Sequence, residues 1–273
     1  MDLADFQRRL SAVLFMALMS VAVTVRAQSE TARTPTDDLA MKLQNPVAHL
    51  ISVPIENNWE FSDSPTHPTD YYGNLKPVIP FRLGSEWNLI TRTLIPLSYN
   101  TLGRSLSRRV GVGDVISTGY LSPEKPVRQW FWGIGPGVIV PTANNDDLGS
   151  GKWSAGPTGA VVTQRGPWSV LALLGQTWSF AGNRNRDPVN TTYLQPSLSY
   201  TTTKDTSFGI DTQSSYDWDA GVWEVPLELS VGQLVTVAGQ ATNLGLTLRS
   251  HLDRPVGGPK WGLAFTATFL FPR

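Results

Sequence analysis

From Leu50 to Phe271 the apolar and polar positions of this chain alternate, with the period of two expected of a strand whose faces meet different surroundings. The last stretch is the clearest. Trp261, Leu263, Phe265, Ala267, Phe269 and Phe271 alternate with Gly262, Ala264, Thr266, Thr268 and Leu270. Farther back, Trp223, Val225, Leu227, Leu229 and Val231 alternate with Glu224, Pro226, Glu228, Ser230 and Gly232. Read this way, the chain predicts twelve strands. They cover 50–61, 71–83, 86–99, 111–120, 130–141, 152–164, 167–180, 191–203, 206–217, 223–232, 236–249 and 260–271.

The links between them alternate in length. Tight turns are predicted at Gly84-Ser85, Arg165-Gly166, Lys204-Asp205 and Gln233-Leu234, with a medium link at 121–129. Longer polar links cover 62–70, 100–110, 142–151, 181–190 and 250–259, with a short one at 218–222. Short turns on one side and long loops on the other characterise a membrane barrel, whose greasy face meets lipid. The aromatics agree with that reading. Trp59, Tyr71, Tyr99, Trp153, Trp178, Tyr193, Tyr216, Trp223 and Trp261 fall at the loop ends of strands. Trp87, Tyr120, Trp132, Trp168, Phe208 and Phe271 fall at the turn ends. Interfacial Trp and Tyr prefer such girdles. The expected fold is therefore all-β: an antiparallel transmembrane β-barrel of twelve strands with a short N-terminal helical segment. An even strand number puts both ends of the barrel on one side of the membrane.

Ahead of the strands, Arg8 and Arg9 precede an uncharged, mostly apolar run from Leu10 to Val25, followed by Val25-Arg26-Ala27. This is the layout of a cleaved signal peptide at 1–27, and sixteen residues is short for a spanning helix. A second part, 28–49, is polar and then helical around Thr36–Gln44 until Pro46. It predicts either a periplasmic linker or a segment tucked into the lumen. The third part, 50–273, is the barrel. Of the 22 basic and 22 acidic residues, three and two leave with the signal peptide, so the mature chain carries a net charge of −1. That balance argues against a nucleic-acid partner. The absence of cysteine excludes disulfides, thiolate metal sites and cysteine nucleophiles.

Charges on strands that otherwise face lipid belong inside, since exposing one at the membrane midplane costs about 2–4 kcal/mol. The candidate lumen residues are Glu56, Lys76, Arg82, Arg92, Asp211, Glu224, Glu228 and Arg249, accompanied by Asn58, Glu60, Gln164, Gln195 and Gln213. Two readings stay open for them: a polar interior of paired charges, or a constriction that selects solutes. Gly133, Gly135 and Gly137 alternate on the lumen side, where they allow bending or the close approach of a plug. His67 and His251 fall in predicted external loops, and His49 precedes the first strand. None stands with a serine in a catalytic arrangement, and no spacing of His, Asp and Glu forms a metal site. The Asn144-Asn145-Asp146-Asp147 run lacks the ligand periodicity of a calcium loop. No catalytic residue, metal or cofactor is expected, and the chain does not read as an enzyme.

Several blocks resemble a known family: Leu43-Gln44-Asn45-Pro46-Val47-Ala48-His49-Leu50-Ile51-Ser52-Val53-Pro54, Lys76-Pro77-Val78-Ile79-Pro80, Trp87-Asn88-Leu89-Ile90-Thr91-Arg92-Thr93, Trp132-Gly133-Ile134-Gly135-Pro136 and Thr268-Phe269-Leu270-Phe271-Pro272. Gly149-Ser150-Gly151-Lys152-Trp153 and Trp178-Ser179-Phe180-Ala181-Gly182 belong with them. The chain is similar to a proteobacterial family of outer-membrane transporter-like barrels, related to the barrel proteins of the phenol meta-cleavage pathway and often mislabelled neuromedin U. The resemblance implies a porin-like channel in the outer membrane of a Gram-negative bacterium. It would pass small molecules, hydrophobic ones included, by passive or semi-selective diffusion. The expected partners are the lipid bilayer, a small-molecule solute, and the barrel assembly machinery through the C-terminal strand. The alternative is a closed structural or adhesive barrel acting through its external loops. A barrel lipase is the third reading.

Overall fold

The computed structural model describes residues 35–63, 69–100 and 109–271. The expected signal peptide and His67 lie outside these residues, as does the side chain of Tyr99. A helix, α1, runs Pro35–Leu43. Fifteen extended segments follow: β1 Ile51–Phe61, β2 Thr69–Leu75, β3 Val78–Leu83, β4 Trp87–Asn100, β5 Arg109–Val112, β6 Val115–Pro123, β7 Trp130–Val140, β8 Lys152–Arg165, β9 Trp168–Gly182, β10 Asn190–Thr201, β11 Thr206–Thr212, β12 Ser214–Asp217, β13 Val222–Val237, β14 Gln240–Asp253 and β15 Trp261–Phe271. Three pairs of segments, β2 with β3, β5 with β6 and β11 with β12, each make one strand of the wall, so the described residues form twelve strands. Every strand pairs antiparallel with its chain neighbours, and β1 pairs with β15 along its whole length. The sheet closes on itself, which removes its free edges.

One rim carries the short turns, at 84–86, 124–129, 166–167, 202–205 and 238–239; the other carries the loops. On β15 the odd positions face outward as expected, with Phe265 43% exposed, and the even ones face inward, with Leu270 at 0%. Trp87, Trp168 and Phe271 ring the turn rim, while Trp153, Trp178 and Trp223 ring the loop rim, all on the outer face. Two of the expected girdle members are misplaced. Tyr120 lies in register with lumen-facing positions and is 1% exposed, and Tyr193 packs against the same internal cluster.

The turn expected at Gln233-Leu234 is also displaced. Both residues lie inside β13, opposite Asn243 and Leu244 of β14, and the chain reverses at Ala238-Gly239. Their φ angles of 49° and 82° suit a tight hairpin. As a result β14 runs on to Asp253 and carries His251 into the wall.

The band between β6 and β9 is rich in Gly and Pro. Pro136 and Pro157 sit directly opposite each other in the β7–β8 register, and neither has an N–H to give the ladder. Pairing lapses on both flanks, between Thr118 and Leu121 of β6 and between Ala155 and Thr158 of β8.

Candidate functional site

The lumen holds a cavity of about 1010 Å³. Register decides which side chains line it: the even positions of β1 to β4, β6, β8, β13 and β15, and the odd positions of β7, β9, β10, β11 and β14. Toward the turn rim the lumen is filled by the segment ahead of β1. Leu39, Ala40 and Leu50 pack with Leu234 of β13 and Leu270 of β15. Val47 packs with Ile90, Tyr120, Ala160, Val162 and Leu173. Gln164 of β8 donates a hydrogen bond from Nε2 to the Met41 carbonyl at 2.7 Å, which holds the helix end from the opposite wall. The segment thus touches both sides of the lumen. Gly133 faces Val47, and a Cβ there would come within 3.2 Å of its Cγ1.

Above this plug the two walls differ. On the wall made by β1, β2, β13, β14 and β15, charges meet charges. Lys76 Nζ lies 2.8 Å from Glu56 Oε2, and Asn58 and Asn74 donate to the same carboxylate. Arg249 donates from Nε to Glu228 Oε1 at 2.7 Å, and from Nη1 to Glu60 and to Asn58 Oδ1. His251 Nε2 lies 3.3 Å from Glu60 Oε2, and its Nδ1 is 3.7 Å from Glu224. Gln213 donates to Glu228 at 3.3 Å. The bonds from Arg249 to β1 cross the whole width of β15. They pass over Gly262 and Ala264, and a side chain on Gly262 would collide with the Glu60 carboxylate.

The facing wall, from β4 to β9, is mainly apolar and hydroxylic, with Gln176 of β9 and Asp147 of the β7–β8 loop also lining the cavity. Leu94, Ile116 and Ile139 stand in adjacent register positions and line the cavity with Thr118, Thr158 and Leu173. Tyr120 and Thr158 share a hydrogen bond at 3.2 Å. Arg92 is the basic residue of this wall. It lies in register with Val78 and Thr118 and lines the cavity. Among the described residues no carboxylate lies within ion-pair distance of it.

Of the eight candidates from the sequence, Glu56, Lys76, Arg92, Glu224, Glu228 and Arg249 line the cavity. Asp211 stands opposite Glu228 in the β11–β13 register, below the cavity lining. Arg82 departs from its expected place. It lies near the turn rim, 67% exposed, and pairs with Glu124 at 3.3 Å, because β3 ends at Leu83 beside the first short turn. His251 was missed as a lumen residue through the displaced turn; its side chain is 3% exposed. Neither described histidine faces outward with a serine beside it, as His49 precedes β1 and His251 points inward.

A family model described as "Putative MetA-pathway of phenol degradation" matches residues 73–222. No curated protein matches the chain. Among solved structures, an outer membrane channel from Pseudomonas putida F1 is similar at a TM-score of 0.63 and 16% identity, covering 82% of this chain and 96% of that one. The NanC porin gives a TM-score of 0.50 at 12% identity, covering 82% and 100%. Outer membrane phospholipase A from Escherichia coli gives 0.52 at 12% identity, covering 88% and 99%. At these identities the likeness is one of fold, which channels and an enzyme share.

Proposed function

The chain belongs to the phenol-degradation family whose model it matches over 73–222, and from that premise we propose that it is a gated diffusion channel of the outer membrane. Small solutes with an apolar body enter from the loop side, which faces outward, and the segment ahead of β1 governs release into the periplasm. The observation that carries this reading is the lumen cavity of about 1010 Å³, lined on one side by apolar residues and stopped at the turn rim by Val47 and α1. A solid structural barrel has no need of such a void. A plug seated on a few apolar contacts, each contributing about 1.5–3 kcal/mol, is weak enough to leave and strong enough to hold. Residues 1–27 direct export and are removed. A lipase reading has less support, for want of an outward serine–histidine pair among the described residues.

The test is planar-bilayer conductance of refolded residues 28–273 beside the variant Leu39→Asp with Val47→Asp, folding being checked by heat-dependent gel mobility. We expect sparse openings in the first and sustained conductance in the second. Silence from both, with both folded, would overturn the channel and leave a closed structural or adhesive barrel.

A further inference from the structure

Among the described residues, the lumen cations Lys76 and Arg249 are held by glutamates, and Arg92 is not. Its guanidinium projects into the cavity, within electrostatic reach of the Tyr193 phenol. No carboxylate among the described residues takes it up, whereas Lys76 and Arg249 are both held by glutamates. Leu94 and Ile116 lie above it on the loop side, one alternation away, and Ile139 continues their row onto β7. A fixed cation beside an apolar shelf is one half of a recognition surface. The half it lacks is an anion attached to an apolar body.

We propose that Arg92 is the anion-receiving residue of a lumen binding site for small amphipathic monoanions, with a carboxylate on the guanidinium and the apolar body against Leu94, Ile116 and Ile139. This deepens the channel reading and rests on it. Guanidinium and carboxylate match in geometry and can form two parallel hydrogen bonds. The opposite wall supplies the counterweight. Glu56, Glu60, Glu224 and Glu228 line the cavity there, against Lys76 and Arg249 beside them and Arg92 across from them, so these lining charges sum to −1. An anion is therefore welcomed at one point and disfavoured elsewhere, which keeps its stay short. Conduction needs that balance of entry and release. A neutral solute of the same shape keeps the apolar contacts alone, and a cationic one is repelled by Arg92.

The site is tested by titration calorimetry on refolded residues 28–273 in detergent, with benzoate, benzyl alcohol and benzylammonium as probes. Binding is read at equilibrium, so a channel that fails to conduct leaves the result interpretable. We expect benzoate to bind more tightly than benzyl alcohol, and benzylammonium most weakly. Arg92→Gln should weaken benzoate at least about tenfold, the loss of charge-assisted hydrogen bonds. It should leave benzyl alcohol unchanged. Arg92→Lys should keep part of the benzoate affinity, and Arg82→Gln at the turn rim should keep all of it. Benzoate binding unaffected by Arg92→Gln, or benzylammonium binding as well as benzoate, or no benzoate binding to the folded wild type, would each overturn the proposal.

Discussion

The wall containing β13, β14, β15 and β1 and the wall running from β4 to β9 face the same lumen but handle charge in opposite ways. On the first, Arg249 is shared between Glu228 and Glu60, and Lys76 is held by Glu56. The Arg249–Glu60 bond straddles the seam between β15 and β1, where the first and last strands meet. On the second, Arg92 stands among leucine, isoleucine and threonine, and no carboxylate among the described residues pairs with it. A charged side chain in a barrel interior is thus not by itself a sign of solute selection. Its partners decide whether it closes the sheet or waits for a ligand.

The sharpest way to break this comparison is to remove one cation from each wall. Arg249→Leu takes the arginine from two buried glutamates, leaving Glu60 to His251 and Tyr72 and Glu228 to Gln213, and should cost about 3–5 kcal/mol. Arg92→Leu strands no buried partner and should change stability by no more than about 0.5 kcal/mol. Urea unfolding in detergent micelles measures both, and equal losses would erase the distinction. Next in size are the outer faces. Phe265→Arg on β15 and Ile134→Arg on β7 should each cost about 2–4 kcal/mol, since both put charge into lipid. Ile139→Arg points into the lumen and should assemble normally. Insertion monitored by heat-dependent gel mobility checks the three, and normal assembly of Phe265→Arg would reverse the facing of β15. A finer probe is Gly262→Val, which takes the place of the Glu60 carboxylate. Overpacking there should cost about 1–3 kcal/mol, and joining it to Glu60→Ala should recover part of the loss.

The smallest effect lies beyond both walls. Asp63 accepts hydrogen bonds from Lys260 at 2.7 Å and from Arg254 at 3.4 Å, fastening the 254–260 loop to the end of β1. The Lys260 hydrogen bond holds its carboxyl below the usual range. Because the folded value is depressed, the clamp is complete above the ordinary carboxylate pKa and fades as pH falls through the lowered one. Proteolysis of that loop should stay slow at neutral pH and quicken in acid, and added salt should quicken it at neutral pH. A loop equally sensitive at every pH would remove Asp63 from the clamp.

What the sequence made legible follows from what period two can encode. Lipid outside and lumen inside impose alternation at every position, so the facing of Leu263 and Phe265 and the number of strands could be read directly. The place of a turn is a weaker signal. Gln233-Leu234, just after Gly232, reads as a tight turn, but Leu234 packs under α1 and the chain turns at Ala238-Gly239. That displacement alone carried His251 from an expected loop into the charged network. Pairing was illegible for a different reason. Arg249 and Glu60 are 189 residues apart and meet only because the sheet closes, which no local pattern announces. The seat of the N-terminal segment was equally hidden, since Val47 finds its neighbours only once β4, β6 and β8 stand side by side.

The facing prolines of β7 and β8 give the barrel a mechanical asymmetry. A closed sheet resists flattening as a hoop does, through continuous tension around its circumference, and its hydrogen bonds carry that tension. Pro136 and Pro157 contribute none from their nitrogens, and the flanking lapses in β6–β7 and β8–β9 widen the thin sector. Diametrically across, the Arg249 and Lys76 bridges reinforce the hoop. Squeezed by the bilayer or stretched by an incoming solute, the ring gives on the β6–β9 arc and keeps its seam, so its cross-section goes from round to oval without coming undone.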